Sequence, residues 1–203
     1  LKLAVDLGHL PSRALMANMM LQGREGVAKD CDGAFELVEE GARLGCHHCQ
    51  GVMARCYWGG WGCEADAARS LELARESSGK GSRYGQYVLG RLYYHGEGGV
   101  AQDYAQALAF YRLAAAQNFD GAQCALGDMY DEGLGVAQDY AEALRLWRLA
   151  AAQGYPWALC NVALCHEFGS GVRKNKAEAI RWYRRAQAAG HPVAAADLQR
   201  LRA

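Results

Sequence analysis

The chain has 203 residues, and its 22 basic side chains are balanced by 22 acidic ones. A non-specific nucleic-acid binder ordinarily carries a basic excess, so no nucleic-acid partner is expected. No apolar run approaches the roughly 18 residues a membrane helix needs, so no membrane insertion is expected, and length and composition suit a single elongated soluble domain spanning 1–203.

Residues 1–10, LKLAVDLGHL, begin without Met, and their Ala4 and Gly8 align with Ala150 and Gly154 at the end of a helix that recurs further along. They are expected to be the tail of a preceding repeat, in a chain that is a piece of a longer array. From residue 11 onward the same landmarks return at steps of 36 or 37 residues, with a glycine before an apolar or small residue at Gly26, Gly62, Gly99, Gly135 and Gly171. Four residues later comes a short acid or amide, at Asp30, Asp66, Asp103, Asp139 and Asn175. These side chains can accept the unpaired N–H groups of a helix start and are predicted N-caps. About fifteen residues beyond each cap, Gly45, Gly81, Asn118, Gly154 and Gly190 stand where a helix is expected to close in the left-handed conformation. The repeats so defined are 11–46, 47–82, 83–119, 120–155 and 156–191.

Each repeat is predicted to hold two helices. In the first, Ala122, Leu126 and Tyr130 fall on one face at i, i+4 and i+8, and the same positions hold Cys49, Met53 and Tyr57, or Ala158, Val162 and His166. Beside that face a small residue recurs as Ala17, Ala54, Gly90, Gly127 and Ala163, which allows close helix approach. The second helix presents an aromatic between alanines: Ala143, Trp147 and Ala150, then likewise around Tyr111 and Tyr183. Repeat two departs most, with Ser70 for Ala143 and Ala74 for Trp147. Residues 192–203 are predicted to form a capping helix with Ala194, Leu198 and Leu201 inward.

The pattern A-x-x-x-L-G-x-x-Y-x-x-G-x-G-V-x-x-D-x-x-x-A-x-x-x-W, complete over residues 122–147, resembles the Sel1-like repeat (SLR) family, relatives of the tetratricopeptide repeats. The resemblance implies an all-α fold, a right-handed superhelical solenoid of about five two-helix repeats with a C-terminal capping helix. It also implies a concave surface lined by the first helices at positions equivalent to 121, 124, 128, 131 and 132. Those positions hold His48, Arg55 and Trp58 in repeat two, and Tyr84, Tyr87, Arg91, Tyr94 and His95 in repeat three. They hold Asp128, Asp131 and Glu132 in repeat four, and Trp157, Glu167 and Phe168 in repeat five. Aromatics and arginines are over-represented in binding hot spots, so this stripe is the candidate groove. Trp58 and Tyr94 are its expected anchors, with Arg55 and Arg91 directing acidic groups of a ligand. Packing between repeats is the alternative use of the stripe, especially for Tyr84 and Trp157 at helix starts.

Motifs for chemistry are weaker. Cys46, His47, His48 and Cys49 form half a zinc site without a second half, and Cys49 takes a core position, so turn and core packing explain the string better. Of the eight cysteines, Cys49, Cys56, Cys63 and Cys165 replace small or apolar residues and read as small hydrophobes. Cysteine-rich members of the resembled family pair one bridge per repeat, and that spacing is missing here, so a reducing, cytoplasmic compartment is expected. Ser77 to Lys80 spells S-x-x-K, yet the companion motifs of penicillin-recognising hydrolases do not follow. The glycine loops carry no P-loop lysine, and His166 and His191 belong to no acid–base pair.

The expected function is therefore a non-catalytic protein–protein interaction scaffold without cofactor, taking a peptide or partner protein in the groove. The alternatives are an interaction or regulatory domain of a larger multidomain protein or enzyme, and a cell-wall-associated hydrolase-like relative. Because such arrays are stabilised repeat by repeat, deleting residues 83–119 as a unit is expected to leave a folded, shorter protein. Deleting half of that segment is expected to abolish cooperative melting followed by circular dichroism.

Overall fold

The computed structural model describes residues 2–6, 8–24 and 26–202. Through them run α1 (Lys2–Asp6), α2 (Leu10–Gln22), α3 (Cys31–Arg43), α4 (His47–Gly59), α5 (Ala67–Gly79) and α6 (Arg83–His95). Then follow α7 (Tyr104–Ala116), α8 (Asp120–Glu132), α9 (Tyr140–Ala152), α10 (Pro156–Phe168), α11 (Lys176–Ala188) and α12 (Ala194–Arg202). No strand occurs among the described residues, so the fold is all-α as the period predicts.

The starts and stops of these helices are set by local chemistry. Asp30, Asp66 and Asp103 each accept the N–H three residues on, at 2.9 to 3.0 Å, and Asp139 and Asn175 each accept two. All five predicted caps thus carry a side-chain hydrogen bond. At the other end Asn118, with φ 57, is the one non-glycine in the left-handed region among the described residues, where the other repeats use glycine. Asparagine tolerates that conformation better than other side chains do.

The sequence reading treats 1–203 as one domain; by contact the chain forms two compact units, Leu1–Ala114 and Ala115–Ala203. In the first, each helix from α1 to α6 packs on the next, and the first helices of successive repeats also touch, α2 on α4 and α4 on α6. In the second, α8 to α12 pack in succession.

What sets the spacing inside a pair is an aromatic ring lying on a residue with little or no side chain. A Cβ built on Gly127 would stand 2.6 Å from Nε1 of Trp147, and one built on Gly90 would stand 2.5 Å from the Tyr111 ring. Neither distance is tolerable for carbon against carbon or nitrogen, so glycine is what lets these rings lie flat on the first helix. Trp147 and Tyr111 are buried accordingly. Repeat two has Ala74 in place of the ring, and there the buried Ser70 hydroxyl donates to the Ala54 carbonyl at 2.7 Å instead.

The capping helix is held by its apolar stripe, since Ala194, Leu198 and Leu201 are buried as predicted. A polar lock adds to it. Glu167 on α10 is only 6% exposed; it accepts the Tyr183 hydroxyl of α11 at 2.8 Å and two donors from Arg200 of α12. Arg200 in turn reaches Asp197 at 3.2 Å. The Arg200 guanidinium holds the Glu167 carboxyl below the usual glutamate range, against the opposing effect of burial and with help from Tyr183.

Two expectations follow from these contacts. Gly127→Ala should destabilise the protein by about 1–3 kcal/mol, the usual cost of overpacking, and adding Trp147→Tyr should restore part of the loss, because repeat five pairs Ala163 with Tyr183 at the same positions. Urea melts of the single and double variants check this, and a double variant no better than Gly127→Ala would contradict it. For the lock, a depressed carboxyl pKa means that the stabilisation is fully present above the ordinary glutamate value of about 4.3 and is lost as pH falls through the lower folded value. Hydrogen exchange should show amide protection in α12 fading there while α9 stays protected, and Glu167→Gln should remove that pH dependence.

Candidate functional site

The first-helix stripe divides between the two units. In the first unit, Arg55 and Trp58 of α4 lie beside Arg91 of α6, because α4 and α6 pack side by side. The Arg91 guanidinium sits over the Trp58 ring at 4.4 Å. Trp58 meets Trp61 edge to face at 6.0 Å, and Arg55 lies over Trp61 at 5.0 Å. Trp58 Nε1 donates to the Glu97 carboxylate at 2.7 Å, and Arg55 donates to the Asn18 side-chain oxygen across the α2–α4 contact.

The burial of Arg55 is the unusual feature. It is 9% exposed and Asn18 is 7% exposed, so a cation and a neutral acceptor share a nearly closed recess. Among the described residues no carboxylate forms an ion pair with Arg55. A cation over a desolvated ring contributes about 2 kcal/mol or more and a hydrogen bond to a charged group about 1.5–3 kcal/mol, against the several kcal/mol that desolvating an ion costs. Trp61 and Asn18 offset that cost without supplying a counter-charge.

The other stripe residues of this unit take different roles. Tyr94, half-buried, packs against His95 at 4.9 Å and Tyr104 at 5.4 Å. Tyr87 and Tyr84 are buried, Tyr87 with its ring 6.0 Å from that of Tyr111, so these two serve packing. His48 lies 3.3 Å from the Ser82 hydroxyl, and burial, then His47 and Arg83, push its pKa down. His95 is exposed; partial desolvation and Arg91 lower its pKa, so both imidazoles are neutral at physiological pH.

In the second unit the stripe opens into a cleft of about 330 Å³ between α8 and α10. Asp128, Asp131, Glu132, Asn161, Leu164 and Phe168 line it, along with the edge of Trp147. Asp128 is fixed in place: it accepts from Trp147 Nε1 and from Asn161 Nδ2, both at 2.9 Å. Asp131 and Glu132 take part in no ion pair among the described residues. Burial pushes the Asp131 pKa above the usual carboxylate value, as expected of an acid short of compensating charge. Phe168, 64% exposed, forms one wall. Glu167, its neighbour in sequence, faces away into the lock on α12, and Trp157 is exposed, with its ring 4.6 Å from His191.

Two contributors escaped the sequence reading. Asn161 stands where the other repeats have Leu15, Val52, Val88 and Ala125, and a lone amide in an apolar register was the available signal. Trp61 sits in a loop, where repeat logic assigns no face.

The chemical motifs resolve into structure. Cys46 caps α4 by accepting the Cys49 N–H at 3.4 Å, and Cys49 is fully buried. No group of three or more His, Cys, Asp or Glu is placed to hold a metal ion among the described residues. All eight cysteines are free thiols, and burial raises those of Cys56 and Cys165 to about 12 and that of Cys160 to about 11. Ser77 is fully buried and donates to the Ala74 carbonyl at 3.3 Å, while Lys80 pairs with Glu76 at 2.7 Å, so the S-x-x-K residues do not converge. Among the described residues no helix is long and apolar enough to cross a membrane.

Comparison with known proteins agrees with this architecture. The structure is similar to that of c5321, a protective antigen of uropathogenic Escherichia coli displaying an SLR fold, at 30% identity and a TM-score of 0.68, over 97% of this chain and 42% of that one. This chain thus spans less than half the length of that protein. A Sel1 repeat protein from Oxalobacter formigenes aligns at 25% identity with a TM-score of 0.71, over 93% of this chain and 74% of that one. Cysteine rich protein B of Helicobacter pylori shares the fold at 20% identity and a TM-score of 0.53, over 64% of this chain and 96% of its own. No curated protein sequence matches the chain. The Sel1 repeat model matches residues 11–46, 47–82, 83–119, 121–155 and 158–191, and with its consecutive helix pairs the chain belongs to the Sel1 repeat family.

Proposed function

We propose that this protein is a non-catalytic interaction module whose α8–α10 cleft takes a peptide segment carrying a basic side chain next to an apolar one. Sel1 repeat proteins are in general protein-interaction scaffolds, and the cleft is what gives that role a ligand chemistry here. The observation that carries the reading is the pairing of a partly desolvated, uncompensated Asp131 with the exposed Phe168 across one cavity. A lysine or arginine would neutralise Asp131 and Glu132, and an apolar neighbour would cover the phenyl ring. Asp128, held by Trp147 and Asn161, sets the depth to which the cation can enter. The eight free thiols, most of them buried, suit work in a reducing, cytoplasmic compartment.

The test is fluorescence anisotropy with a labelled, blocked peptide of alternating Leu and Arg, against a Leu–Gln control. Asp131→Asn and Phe168→Ala should each weaken binding by about 5- to 30-fold, the 1–2 kcal/mol common for an interface anchor, without a large loss of melting temperature. Only the ionised Asp131 attracts the cation, so affinity should fall as pH drops through a value above the ordinary aspartate pKa of about 3.9. Equal binding of the two peptides, or an unaffected Asp131→Asn variant, would contradict the proposal.

A further inference from the structure

The first unit carries a second feature that the cleft does not explain, the buried Arg55. Its guanidinium is closed in by Asn18 and the Trp61 ring, and it has no carboxylate in ion-pair contact among the described residues. A buried charge without a counter-charge is rare in proteins, because the interior does not replace the water it has lost. The buried carboxylate of Glu167, by contrast, meets both Arg200 and Tyr183. We infer that the Arg55 recess is a seat for a carboxylate side chain of an acidic peptide, which completes the ion pair that the chain leaves open.

Three features favour a single carboxylate over a larger anion. The guanidinium fork presents parallel N–H donors that match a planar carboxylate, and Arg55 has used one donor on Asn18. Trp58 and Trp61, both half-buried, offer apolar faces for the methylene stem of a glutamate. Glu97, hydrogen-bonded to Trp58 Nε1, puts a negative charge nearby, which disfavours a dense polyanion such as nucleic acid more than a spaced carboxylate. The inference shares with the proposal above only the premise that the protein is an interaction module; the site, the ligand charge and the residues differ.

The experiment follows the side-chain Nε–Hε signal of Arg55 by NMR in the whole chain, with a blocked hexapeptide of alternating Ala and Glu, its Ala–Gln counterpart and inorganic phosphate as probes. The Glu peptide should shift that signal saturably, the Gln peptide should not, and phosphate should do so only weakly. Arg55→Gln should weaken the Glu peptide by about tenfold or more, as expected for removing a charge-assisted pair, whereas Asp131→Asn should leave it unchanged. If Arg55→Gln fails to fold, the titration of the natural chain decides alone. An Arg55 signal unmoved by the Glu peptide, or moved equally by the Gln peptide, would overturn the inference; a phosphate response as strong as the peptide's would overturn the carboxylate assignment. Loss of Leu–Arg peptide binding in Asp131→Asn with Glu-peptide binding intact separates the fate of this seat from that of the cleft.

Discussion

The helix pairs α6–α7 and α8–α9 depend on how closely their two backbones can approach, and that distance is set by one small residue on the first helix. Where the second helix brings a large ring, as at Trp147 and Tyr111, the first helix answers with Gly127 and Gly90, whose missing Cβ is the space the ring occupies. Where the ring is absent, as at Ala74, the first helix carries Ala54 and the buried Ser70 hydroxyl bonds to the backbone. Volume is thus exchanged across the pair while the packing stays closed, as dense interiors require.

This division of labour leaves the adjoining stripe of each first helix free to vary. The position occupied by Arg55 is Asn18, Arg91, Asp128 and Leu164 in the other repeats, a range of charge and polarity that no core position tolerates. The variation concentrates unanswered charge in two places of opposite sign, a partly desolvated Asp131 in the cleft with Phe168 and a buried guanidinium beside Trp61. A scaffold that reads partners through variable stripes on a constant frame is the pattern expected of repeat proteins.

The cysteines fit the same frame. Cys49, Cys56, Cys124, Cys160 and Cys165 are buried, and desolvation raises their thiol pKa values, which disfavours the reactive thiolate. They act as small apolar fillers, and all eight cysteines are free thiols.

The amino-acid sequence by itself determined the period, the five caps from Asp30 to Asn175, the left-handed closures including Asn118, and the small-against-aromatic pairing. Those features obey rules that act within one repeat, where separation along the chain predicts separation in space. The same rules placed Arg55, Trp58, Asp131 and Phe168 on one stripe. Which of those side chains stay open was decided only by tertiary structure. Whether Glu167 faces a ligand or Arg200, and whether Tyr87 is surface or packing, depends on contacts with other helices whose orientation no local pattern encodes. The burial of Arg55 against Asn18, 37 residues away, and the desolvation of Asp131 are likewise products of helix stacking, because electrostatic cost is set by the surrounding volume and not by the neighbouring sequence.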